Sequence, residues 1–142
     1  PSTGVATGPA LAALDGRAIS LDISPDGSSL FAGLGDAANR VIAWNTSTGA
    51  RRWRQVTDGD VQAVRYQGGN VYFGFHEGLA ADRSVRLMAG DAGTGALEAF
   101  RPTVNSFYGV WAIDASAGAL VAGGAFTTVS GVPTQGVAVF AR

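Results

Sequence analysis

His76 and Glu77, adjacent in FGFHEG, and Asp58 and Asp60, two apart in TDGDV, are the side chains whose types and spacing could do chemistry. A His beside a carboxylate can carry a proton, and two carboxylates at a strand end can offer oxygens to calcium. His76 is the only histidine and cysteine is absent, so a zinc site with three convergent nitrogen or sulfur ligands is not expected. TDGDV lacks the D-x-D-x-D-G spacing of a calcium loop, which leaves ordinary turn chemistry as its expected role. No G-x-S-x-G elbow, P-loop or dinucleotide fingerprint occurs, and Gly33-Leu34-Gly35 fits a strand better than a phosphate cradle. The expectation is therefore no catalytic residue, no metal ligand and no cofactor.

Ten basic and eleven acidic residues give a net charge of -1, with no electrostatic footprint for nucleic acid or an anionic membrane. The one basic cluster, Arg51, Arg52 and Arg54, reads as the solvated face of an outer strand. No apolar run approaches the roughly 18 residues of a membrane-spanning helix. Sparse charge and 21 glycines fit an all-β chain with many tight turns.

The elements that must position these residues come from a repeat. ISLDISPDGSSLFAGLG from Ile19, VQAVRYQGGNVYFGFHE from Val61 and VWAIDASAGALVAGGAF from Val110 align with one another. Each places an apolar residue (Ile23, Val64, Ile113) seven before another (Leu30, Val71, Leu120), then a glycine (Gly33, Gly74, Gly123). That is the grammar of a hairpin, turning at Pro25-Asp26-Gly27, Gly68-Gly69-Asn70 and Ala117-Gly118. A third strand is expected at 41–44, 85–89 and 137–140, and a fourth at 51–55 and 97–100. Only 9–14 has helical character, and it is too short to nucleate a helix alone.

Units of this length with four short antiparallel strands are the signature of β-propeller blades. The expected architecture is one propeller segment over 1–142, with blades of roughly 17–58, 59–106, and 107–142 plus 1–16. Thr48-Gly49, Thr94-Gly95 and Thr3-Gly4 recur at intervals of 46, 51 and, counted across the chain ends, 45 residues. Rings typically hold four to eight blades. Three blades would therefore be a partial ring, completed by a second copy, most simply as a six-bladed homodimer, or by a missing segment.

In VIAWNTSTGARRW the order Ala43, Asn45, Thr48, Gly49, Trp53 resembles the tryptophan-docking motif of quinoprotein-type (PQQ-like) propeller repeats, A-x-D-x-x-T-G-x-x-x-W. Asn45 stands where that family usually has Asp. Ala89, Asp91, Thr94 and Gly95 repeat the motif, with Phe100 one place late. VAGGAFTTVSGVPTQGVAVF, through Gly123, Gly124, Phe126 and Gly131, is similar to repeats of secreted actinobacterial proteins. The resemblance implies a secreted or extracellular bacterial propeller. It also implies a runner-up activity, a fragment of a quinoprotein-like oxidoreductase, with another propeller enzyme such as a hydrolase as the further alternative, although the metal-binding and catalytic carboxylates of quinoprotein enzymes have no matching cluster here. Physically, the Asn or Asp opens a turn, the Gly supplies a positive φ, and the small Ala makes room for an aromatic of a neighbouring unit.

The candidate ligand-binding residues are aromatic: Phe107, Tyr108 and Trp111 in SFYGVW, with Tyr66 and His76 at loop-adjacent positions. For Trp111, packing between blades is the equal alternative. The expected function is a non-catalytic propeller module for binding a protein or glycan, or for assembly with copies of itself.

Overall fold

The computed structural model describes residues 3–141. Strands β1 (Arg17–Ile23), β2 (Ser29–Gly35), β3 (Arg40–Asn45) and β4 (Arg51–Val56) pair antiparallel in chain order. A second sheet is made by β5 (Val61–Gln67), β6 (Asn70–Phe75) and β7 (Leu87–Asp91). After β8 (Val110–Ala115) and β9 (Ala119–Gly124), a small hairpin of β10 (Thr128–Val129) and β11 (Val132–Pro133) precedes β12 (Val137–Ala141), which pairs with β9. Among the described residues no helix is long and apolar enough to cross a membrane.

Period-two alternation explains how the sheets stack. In β6, Val71, Phe73 and Phe75 face the first sheet, where Phe31, Val41, Ala43 and Trp53 meet them. Tyr72, between them in sequence, faces the third sheet with Ala89 and Leu120. A strand buried on both faces must be apolar throughout, which is why NVYFGF has no charge. Each fully buried Phe or Val adds about 1.5–3 kcal/mol, so each seam between sheets is held chiefly by such side chains.

The innermost strands approach closely because the second strand of the preceding sheet carries a glycine. A Cβ on Gly33 would lie 2.5 Å from Val61 O, and one on Gly74 would lie 2.6 Å from Val110 Cγ1. Polar ties run alongside: Val64 N–H donates to Ser20 Oγ at 3.0 Å and Tyr66 N–H to Asp22 Oδ2 at 2.7 Å. Arg65 sits between Asp22 and Asp114, 3.8 and 3.1 Å away, so one cation links three innermost strands.

Three details depart from the sequence reading. Pairing to the glycine-bearing strand matches Leu21 with Val64 and Ile113, and Ile23 with Tyr66 and Ala115. The longer SPDGS turn of the first hairpin, held by Ser24 and Asp26, shifts a count along the sequence by two. The fourth strand expected at 97–100 is reduced to one bridge, Gly90 to Leu97, with Glu98 N–H donating to Ala89 O at 2.9 Å. Phe100 instead turns into the seam, edge-on to Tyr72 and to Phe140, and Pro102 has no N–H with which to extend a ladder. Residues 3–16, counted by sequence with the third blade, form neither a helix nor a strand on β12 in this chain. They lie on the first sheet, where Ala12 N–H donates to Gly49 O and Trp44 Nε1–H donates to Ala12 O at 2.6 Å.

Candidate functional site

β1, β5 and β8 all start at one end of the stack, and the loops that feed them gather there. The loop before β8 carries Phe107 and Tyr108, packed edge to face with centroids 5.4 Å apart and both exposed. Phe107 also lies against His76, with centroids 5.7 Å apart. Trp111 is exposed at the bulge of β8, and its indole N–H donates to Tyr108 O at 2.9 Å. The structure thus brings Phe107, Tyr108, Trp111 and His76 to one mouth. Tyr66 is not among them: it lies at the far end of β5, stacked on Phe31 at 5.8 Å in the first seam.

His76 accepts the Asp60 N–H on Nε2 at 3.1 Å, while its Nδ1, buried without a hydrogen-bond partner, lies 3.6 Å from Glu77 Oε1. That geometry aims the ring edge at loops rather than at an open reaction centre. Asp60 Oδ1 accepts the Asp36 N–H at 3.0 Å, and Asp58 accepts from Ala80 and Ala81 N–H at 3.1 and 2.8 Å. Both carboxylates tie loops of neighbouring sheets together. Among the described residues no three or more His, Asp and Glu side chains converge as a metal site. A cavity of about 290 Å³, lined by Asp58, Glu77, Ala81, Arg83 and Phe107, opens beside the aromatics.

Sequence reasoning missed the residue that holds this mouth together. Arg86 is buried, and its guanidinium donates to Val104 O at 2.9 Å, to Phe107 O at 3.4 Å, to Glu77 O at 3.5 Å and to Arg83 O. Burial, with a smaller contribution from the nearby Arg83 charge, lowers its pKa below that of an ordinary guanidinium. The signal in the sequence was a lone charge between Val85 and Leu87 in an otherwise apolar run.

The docking residues fall at the seams. Trp53 lies against the Thr94-Gly95 turn of the next sheet, and a Cβ on Gly95 would come within 2.7 Å of its ring. The indole N–H donates to Ala92 O at 2.9 Å. Ala43 pairs with Trp53 inside the same sheet, and Ala89 pairs with Tyr72, so the small residue makes room for an aromatic of its own sheet. In both turns one side-chain oxygen does the work: Asn45 Oδ1 accepts from Ser47 and Thr48, and Asp91 Oδ1 from Gly93 and Thr94.

No protein-family model and no curated protein matches the sequence. Solved structures do match in shape. The WD40 repeats of RRP9 superpose with a TM-score of 0.61 at 18% identity, over 87% of this chain and 36% of that one. Saccharomyces cerevisiae Sqt1 gives 0.60 at 17% identity, over 89% of this chain and 31% of its own. U3-55K gives 0.60 at 19% identity, over 87% and 37% respectively. The chain spans about a third of the length of the solved structures it matches. At such identities the likeness concerns fold alone: the chain is all-β, a β-propeller segment of three blades forming part of a ring.

Proposed function

We propose that this chain is a non-catalytic propeller module that binds a protein partner through the mouth formed by Phe107, Tyr108, Trp111 and His76. The observation that carries this reading is the exposure of three contiguous large aromatics on rigid supports. Phe107 and Tyr108 stand on a loop whose carbonyls are pinned by the buried Arg86, and Trp111 stands on β8. Tyr, Trp and Phe presented this way supply contact area at small entropic cost, as interface anchors do. The same reading takes the chain as a secreted bacterial repeat of the quinoprotein type, on the strength of its Thr-Gly turns, and as half of a six-bladed homodimeric ring.

A displayed random-peptide library and a glycan array, each probed with the whole chain, test it. The reading expects enriched peptides whose binding is lost in Phe107→Ala and Tyr108→Ala with unfolding midpoints unchanged. Binding to glycans alone would move the ligand class to carbohydrate. Peptides that bind the variants as well as the original chain would remove the mouth from consideration.

A further inference from the structure

We infer that the open face of the third blade receives the open face of the first blade of a second copy, head to tail, so that two identical seams close the ring. This inference rests on the homodimeric reading above and assigns the surfaces that make it.

The two seams inside the chain share one set of positions. On the earlier blade they are the glycine of the second strand, Gly33 or Gly74, and two apolar residues of the third strand, Val41 and Ala43 or Leu87 and Ala89. On the third blade the matching residues are Gly123, Val137 and Val139. They are bare: Val137 and Val139 are 58% and 67% exposed, and a Cβ on Gly123 would meet nothing nearer than 3.8 Å.

On the later blade of each seam, the innermost strand supplies Val64 and Tyr66, or Ile113 and Ala115. The first blade has Leu21 and Ile23 at those positions, 60% and 52% exposed. Ala18 pairs with Leu34 as Val61 pairs with Phe75 and Val110 with Gly124, so Ala18 is the residue that a preceding glycine would face. The chain therefore carries both halves of a seam it has already built twice, one half at each end. Asp22 accepts an N–H from the next blade, and Asp114 occupies the same position in the third.

The outer edge agrees. β12 is an edge strand beside an apolar groove of about 290 Å³ lined by Val129, Val132, Val139 and Phe140. In the first blade that edge is covered by β4, whose Trp53 then docks on the next blade. Residues 5–9 of a second copy lead directly into the segment that already rests on Trp44 and Gly49, which brings them toward this edge. A contact of unlike surfaces closes only when the rotation closes, and two copies of three blades satisfy that with the minimum number of chains.

Sedimentation velocity of the whole chain at micromolar concentration is the test. The expected species has twice the 14.4 kDa mass of one chain. Val139→Asp and Leu21→Asp, both exposed in a single copy, each convert it to monomer with the far-ultraviolet dichroism intact. Mixing the two variants restores dimer, because one seam of the mixed pair contains neither aspartate. Since the chain has no cysteine, Ala18→Cys with Gly123→Cys should also give a covalent dimer on mild oxidation. A monomeric original chain overturns both the homodimer and the seam. A dimer that survives both aspartates, or breaks with only one, leaves the homodimer standing and overturns the seam. Larger oligomers that both aspartates dissolve would keep the seam and overturn the two-copy ring.

Discussion

The indole of Trp53 lies flat against Gly95 and donates its N–H to Ala92 O at 2.9 Å, so the outermost strand of the first blade is fastened to the turn of the second. Gly95 holds φ at +75°, a backbone region that costs an L-residue roughly 1–2 kcal/mol, and it is also the only residue small enough to admit the ring.

Trp53→Ala should therefore cost about 3–5 kcal/mol in urea unfolding, the range for removing a large buried aromatic. Trp53→Phe keeps most of the packing but strands Ala92 O, for a loss of about 1–3 kcal/mol. Gly95→Ala combines backbone strain with displacement of the ring, and should red-shift the Trp53 emission as well as lower the midpoint.

Arg86→Met should destabilise the chain by about 1–3 kcal/mol, because the buried Val104 carbonyl loses its guanidinium donor and the part-buried Glu77 and Phe107 carbonyls lose theirs with it. The cost should be local as well as global. Amide exchange in 77–83 and 104–109 should accelerate before that in β5 and β6, and an unchanged exchange pattern would show that the guanidinium does not pin the mouth.

Asp26 accepts from Ser24 Oγ and from Ser28 N–H, and these bonds hold its pKa near 2 against an ordinary 3.8. Hydrogen bonds from Ser84 and Thr94 likewise lower Asp82 and Asp91. A depressed folded-state pKa contributes stability that is whole above 3.8 and fades as pH falls toward 2. The thermal midpoint should hold steady from neutrality down to the ordinary carboxylate range and then fall. Asp26→Asn should flatten part of that fall, and a midpoint that drops well above pH 5 would contradict the assignment.

Asn45→Asp should raise the thermal midpoint at neutral pH. Asn45 Oδ1 accepts from Ser47 N–H, Ser47 Oγ–H and Thr48 N–H, and a carboxylate accepts such bonds more strongly than an amide. The second turn already has Asp91 in this role. The gain should vanish below about pH 3, where the new carboxyl protonates, and calorimetry at the two pH values checks both halves.

What could be read in advance follows from the range of the forces involved. Strand periodicity, the turns and each Thr-Gly motif are set by residues a few places apart, so the count of blades was legible from how often that local pattern recurs. The register of the inner strands was not, because the five-residue turn after Ile23 slips the count by two and only pairing to Leu30 reveals it. Phe107, Tyr108, Trp111 and His76 could be singled out by type, yet Tyr66 looked equivalent until β5 placed it at the opposite end.

By itself the sequence determined an all-β chain of three repeated hairpin units without a recognisable catalytic set, since alternation and turn chemistry act over neighbouring residues and recur along the chain. Tertiary structure alone decided which face of each strand meets which neighbour. It put Trp53 on Gly95, buried Arg86 among carbonyls from two loops, and left Leu21 and Val139 bare at opposite ends of the stack. Those outcomes join residues tens of positions apart, and only the packing of one sheet on the next brings them within contact distance.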